Sequence, residues 1–168
     1  ATLRYDRALG FLPALLDALE VPVESQTLVF SKTSLQVEEI GPDNPRAIYF
    51  TDDVSIAWIR SAPVIEIAAH DPEQGVMFYA LRQHSAFARR GFQRPRSCLE
   101  CHIADTTLGV PGMAVGSAVV DADGEPYVAA PVDHRSPVAE RWGGWFVTGD
   151  TGSGAHIGNT TANGSRPV

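Results

Sequence analysis

The chain holds two cysteines, Cys98 and Cys101, and His102 follows the second directly. In Cys98-Leu99-Glu100-Cys101-His102 the thiols stand three residues apart, one turn of a helix, and so share a face. Covalent haem requires this arrangement: two thiols to join two vinyl groups, and an adjacent imidazole held beneath the iron. No cysteine is left over. On the haem reading, the fold is expected to present one helical turn to a flat, largely apolar cofactor.

Three other chemistries use the same residue types. A structural zinc site needs two further ligands from His70, His84, His134 or His156, which are scattered rather than paired. A thioredoxin-like redox pair expects a βαβ setting, whereas this pair comes late, after several hairpins. A plain disulfide across so short a loop constrains little of the unfolded chain. The expected cofactor is one haem c, anchored by Cys98 and Cys101 and ligated by His102.

The position opposite His102 takes His, Met or nothing. His156 leads the candidates, because the glycines of Gly152-Ser153-Gly154-Ala155-His156-Ile157-Gly158 let a loop lie close over a flat ring. His134 and then Met113, in the loop after Val110-Pro111-Gly112, are the alternatives. Met77 reads as core filler, His70 as a turn residue, and His84 as part of a basic loop. Arg89, Arg90, Arg94 and Arg96 make a solvated face or a partner for haem propionates. Trp142, Trp145 and Phe146 read as core packing or as a haem wall.

The rest of the chain predicts an α+β fold, mostly an antiparallel sheet of hairpins with flanking helices. Leu9, Leu12, Leu16 and Leu19 recur at helical spacing, with Pro13 suited to the first turn of a helix running to about Glu20. Leu35 to Ile40 alternates loosely as a strand. Ala47 to Thr51 and Val54 to Ile59 flank Asp52-Asp53. Val64 to Ala69 and Val76 to Leu81 flank Asp71-Pro72-Glu73-Gln74-Gly75. Ala114 to Val120 and Tyr127 to Ala130 flank Asp121-Ala122-Asp123-Gly124. Each pair reads as a hairpin, and one face of such a sheet must be covered by helices or by a cofactor. Ser136-Pro137 predicts a short helix to about Trp142. A single haem domain is expected over 1–158, and a flexible tail over 159–168. The turn at Asp121 opens like a calcium loop, but Pro126 falls where glycine is needed and Val132 where glutamate is needed.

The net charge of −7 makes a nucleic-acid partner an unfavoured expectation, since a phosphate backbone demands a basic face. It fits docking to a basic redox partner. No apolar run approaches the ~20 residues that span a membrane. The start at Ala1 fits a processed, exported chain or a trimmed one.

Ser31-Lys32-Thr33-Ser34-Leu35-Gln36, Pro45-Arg46-Ala47-Ile48-Tyr49-Phe50 and Glu140-Arg141-Trp142-Gly143-Gly144-Trp145, together with the haem motif, resemble a family of uncharacterised bacterial c-type cytochrome proteins. The resemblance covers most of the chain. It implies histidines at positions matching His134 and His156, a variable position at Met113, and relatives that continue past Asn159, so that this chain is a short version or a piece. The order of strand pair, Arg-rich loop, haem motif and returning strand is more loosely similar to PAS-like haem-bearing sensor domains. These resemblances imply a periplasmic or otherwise exported monohaem protein. Single-electron transfer is the expected function, with a redox- or gas-sensing module as the alternative. Enzymatic activity such as a peroxidase's is the least expected, because no distal acid–base pair can be identified.

Overall fold

The computed structural model describes residues 3–83 and 91–162. His84, Arg89 and Arg90 lie outside the described residues. The fold is α+β, with antiparallel sheets and short flanking helices. The described residues fall into two compact units, one from the stretch up to Gln26 and Ala47–Met113, the other from Thr27–Arg46 and the stretch after Ala114.

In the first unit, α1 (Leu12–Ala18) carries Pro13 in its opening turn, where a missing N–H costs nothing. The buried stripe is Phe11, Leu12, Leu15 and Leu16. The expected stripe through Leu9 and Leu19 is corrected: both are exposed. Asp6 and Gly10 exchange backbone hydrogen bonds, and the Asp6 carboxylate takes the Leu9 N–H, so Leu9 belongs to a closed turn before the helix. The helix ends at Ala18, short of Glu20, whose φ is +53°.

Four strands follow as an antiparallel meander: β2 (Arg46–Phe50), β3 (Val54–Trp58), β4 (Val64–Asp71) and β5 (Gly75–Arg82); β1 (Thr27–Val29) precedes them in the chain. Asp71 closes the β4–β5 turn by accepting the Glu73 and Gln74 N–H groups at 2.9 and 2.8 Å. The turn sets the register Ala68 opposite Phe78, Ala69 opposite Met77 and His70 opposite Val76. Side chains alternate between faces along a strand. One face therefore holds Ile65, Ile67, Ala69, Met77, Tyr79 and Leu81. The other holds Glu66, Ala68, His70, Val76, Phe78 and Ala80. The short helix α2 (Cys98–His102) packs on the second face, with Cys98 and Leu99 against Ala68, Val76 and Phe78.

In the second unit β1 pairs with β8 (Trp145–Phe146), and β6 (Gly116–Val120) pairs with β7 (Pro126–Pro131). Phe30, Ala118 and Val120 are its buried centre, with Phe146 against them. The paired glycines before Trp145 are needed there. Gly144 sits at φ +79°, and its carbonyl accepts from Phe30 and Ser31 N–H at 2.8 and 3.1 Å. A Cβ on Gly144 falls 2.5 Å from the Ser31 Cβ, and one on Gly143 falls 2.5 Å from the Ala118 carbonyl oxygen.

Two expected elements are corrected here. Leu35 to Ile40 is not a strand but a bend leading into one 3-10 turn, Val37–Glu39, because the Ser34 hydroxyl captures the Gln36 N–H. The helix expected after Ser136 is a single 3-10 turn, Val138–Glu140: Pro137 is extended, and the Arg141 guanidinium takes the Ser136 carbonyl. Asn159, where a tail was expected to begin, exchanges side-chain hydrogen bonds with both the Val147 N–H and its carbonyl.

Candidate haem-attachment site

The sequence explains where α2 sits. Pro95 ends the extended approach, and the carbonyls of Pro95, Arg96 and Ser97 accept from the N–H groups of Cys98, Leu99 and Glu100 at 3.4, 3.0 and 3.2 Å. One tight turn thus carries both thiols and the imidazole. Cys98 is half-buried and Cys101 is exposed, and both are free. Burial pushes the Cys98 thiol up, and the Glu66 carboxylate, on the same sheet face, adds to the shift.

His102 is held on three sides. Its ring stacks on Phe78 with centroids 4.2 Å apart and planes inclined by 29°. Its Nδ1 lies 2.9 Å from the Gly112 carbonyl oxygen. Its backbone carbonyl accepts from Gly112 N–H at 3.0 Å. A carbonyl only accepts, so in the neutral ring Nδ1 carries the proton and Nε2 keeps its lone pair. That is the state of a ligating histidine, with the second nitrogen fixed by a backbone acceptor.

The loop that supplies Gly112 is itself anchored. Thr107 is buried, and its hydroxyl lies 3.0 Å from both the Ala104 N–H nitrogen and the Ala104 carbonyl oxygen. Val76 N–H donates to the Pro111 carbonyl at 3.2 Å, tying the loop to the edge of β5. Along it Ile103, Leu108, Val110 and Met113 expose apolar surface, Leu108 to 90%. Two free thiols and an imidazole carried on one turn, with Nδ1 engaged by Gly112, form a donor set that fits a covalently held haem.

The other expected residues lie elsewhere. Met113 directly follows Gly112 and is exposed. His134 and His156 stand in the second unit. His134 is flanked by Asp133 and Arg135, whose ion pair lowers the Asp133 carboxyl to about 2. His156 is half-buried, and its Nδ1 accepts the Gly158 N–H at 3.0 Å. Its neutral ring therefore carries the proton on Nε2, the reverse of His102. Arg94 is on the face away from α2: its guanidinium lies 5.8 Å from the Tyr79 ring centre and 3.5 Å from the Met77 sulfur. Trp142 and Trp145 meet edge to face, and the Trp145 indole N–H bonds to the Gly116 carbonyl at 2.9 Å.

Sequence reasoning missed Phe78, Gly112 and Glu66. The turn at Asp71–Gly75 was the available signal for Phe78 and Glu66, since it fixes which residues of β4 and β5 share a face. Among the described residues, no three His, Cys, Asp or Glu side chains gather as a metal-holding group, and no helix is long and apolar enough to cross a membrane. No family model, curated protein or solved structure matches this chain.

Proposed function

We propose that this chain is a monohaem c-type cytochrome domain that passes single electrons. Cys98 and Cys101 would hold the haem through thioethers, and His102 Nε2 would ligate the iron. When bound, the group supplies a one-electron redox centre. The observation that carries the reading is the His102 imidazole itself: it sits on the same turn as both thiols, and its Nδ1–H is spent on Gly112, so that only Nε2 is free to bind metal.

The family and PAS-like likenesses belong to this proposal. The meander β2–β5 followed by the haem motif on one sheet face is consistent with a cofactor lodged against that sheet. Covalent attachment takes place outside the bacterial cytoplasm, so a periplasmic or exported location follows from the reading. The charge of −7 favours a basic redox partner.

A sensing or ligand-binding module is the second reading. It rests on the looser PAS-like likeness, whose order of strand pairs followed by the haem motif the succession of β2–β5 and α2 shares. Optical spectra of the exported protein, oxidised and reduced, with and without carbon monoxide, separate the two. Low-spin bands indifferent to carbon monoxide support electron transfer. High-spin bands that shift with it support sensing. The absence of any c-type reduced spectrum overturns both.

A further inference from the structure

We propose that Thr107 is the positioning residue of the haem site: by seating Gly112 it fixes the His102 ring as the iron's ligand, an inference that rests on the haem reading above. From Cys101 to Val115, Thr107 is the one buried residue, while its neighbour Thr106 is exposed. It stands midway along the loop that leaves His102 and returns to it at Gly112.

Both halves of the side chain are used. The hydroxyl oxygen accepts the Ala104 N–H and donates to the Ala104 carbonyl, each at 3.0 Å, with the His102 carbonyl 3.4 Å away. The same Ala104 carbonyl accepts from Thr107 and Gly109 N–H, both at 3.0 Å. Leu108 and Gly109 are left-handed, at φ +56° and +71°, and turn the chain back toward His102. The methyl side meets Gly112. A Cβ built on Gly112 falls 3.0 Å from the Thr107 Cβ and 3.1 Å from its Cγ2. Gly112 therefore rests directly on Thr107, and a hydrogen in place of a side chain lets it come this close.

That contact sets where the polar groups of Gly112 stand, and both go to His102. The carbonyl lies 2.9 Å from Nδ1, and the N–H lies 3.0 Å from the His102 carbonyl. The other tie on this stretch, Val76 N–H to the Pro111 carbonyl, is a backbone bond from outside the loop. Thr107 is the side chain that holds the loop from within. An acceptor on the second nitrogen orients a ligating imidazole and raises its basicity, and losing such a partner typically weakens metal binding about 10–100-fold. Removing the Thr107 hydroxyl releases Ala104, lets Gly112 shift, and frees the His102 proton to move to Nε2.

The test reads Thr107→Val, which keeps the shape and loses the hydroxyl, beside Thr107→Ser and Thr106→Val. In the haem-free full chain, long-range 15N–1H correlation spectra are expected to show the neutral His102 proton on Nδ1 in the parent, Thr107→Ser and Thr106→Val, and shared with Nε2 in Thr107→Val. In the full chain exported and loaded with covalent haem, Thr107→Val is expected to raise the reduction potential, because a less basic ligand favours the oxidised iron less; the other two variants are expected to match the parent. Far-UV circular dichroism follows the fold of each. Gly112→Ala keeps the hydroxyl but pushes Gly112 off Thr107, so it is expected to move the tautomer in the same direction, and it carries the test where Thr107→Val does not fold. A folded Thr107→Val with the parent's tautomer and potential, a Thr107→Ser that behaves like Thr107→Val, or a Gly112→Ala with the parent's tautomer overturns the assignment. A parent that takes up no covalent haem overturns the haem reading instead.

Discussion

The Nδ1 of His102 lies 2.9 Å from the carbonyl oxygen of Gly112, and Gly112 N–H returns the contact to the His102 carbonyl at 3.0 Å. Ring and backbone are thus latched to one residue ten positions on. In His156 the polarity is reversed, because Nδ1 accepts from Gly158. Long-range 15N–1H correlation spectra of the haem-free chain, at a pH where both rings are neutral, should show the proton on Nδ1 in His102 and on Nε2 in His156. A proton on Nε2 in His102 would contradict its assignment as the ready ligand.

Phe78 carries both the packing of α2 and the stacking of His102. Phe78→Ala should cost about 3 kcal/mol, the usual range for emptying a buried aromatic site. Phe78→Leu should cost less, because most of the volume is kept. Urea unfolding measures both. Equal midpoints for Phe78→Ala and the parent would show that α2 does not depend on this ring.

Glu66 and burial together hold the Cys98 thiol protonated, whereas Cys101 is exposed. In the haem-free chain Cys101 should alkylate first, and Glu66→Gln should speed the reaction of Cys98 by lowering its pKa. The fold binds this proton more tightly than the unfolded chain does. Its contribution to stability is therefore complete below the unfolded thiol's pKa and is lost as pH rises through the raised one. Unfolding midpoints should fall with alkaline pH, and less so in Cys98→Ser. Mass-resolved alkylation kinetics and a pH series of unfolding curves check the two statements.

Gly144→Ala meets the Ser31 side chain and a left-handed backbone at once, whereas Gly149 has no atom within 4 Å of a built Cβ. Gly144→Ala should lower the thermal midpoint of unfolding, and Gly149→Ala should leave it within error. Similar midpoints for the two variants would show that the Phe30–Gly144 contact is dispensable.

The three hairpins were legible because each turn carries a short polar residue that takes its backbone N–H groups, Thr51, Asp71 and Asp121, and each strand between turns is long enough to show its pattern. The strands β1 and β8 were not, since three and two residues carry no readable alternation. The supposed strand at Leu35 had the right residue types, but a local hydroxyl captured its backbone. At the candidate site, the single turn shared by Cys98, Cys101 and His102 could be read from spacing alone. Gly112 could not, because its part is played by a backbone carbonyl that every residue possesses.

The most direct test of the haem reading is whether the cofactor stays with the chain after unfolding. The full chain should be exported in a bacterium with a working haem-attachment system, then denatured and extracted with acidified acetone. The account predicts one haem per chain in the protein fraction, seen by intact mass and by the reduced pyridine spectrum, and its loss from that fraction in Cys98→Ser/Cys101→Ser. Haem that leaves with the solvent, or a parent chain that acquires none, would contradict it.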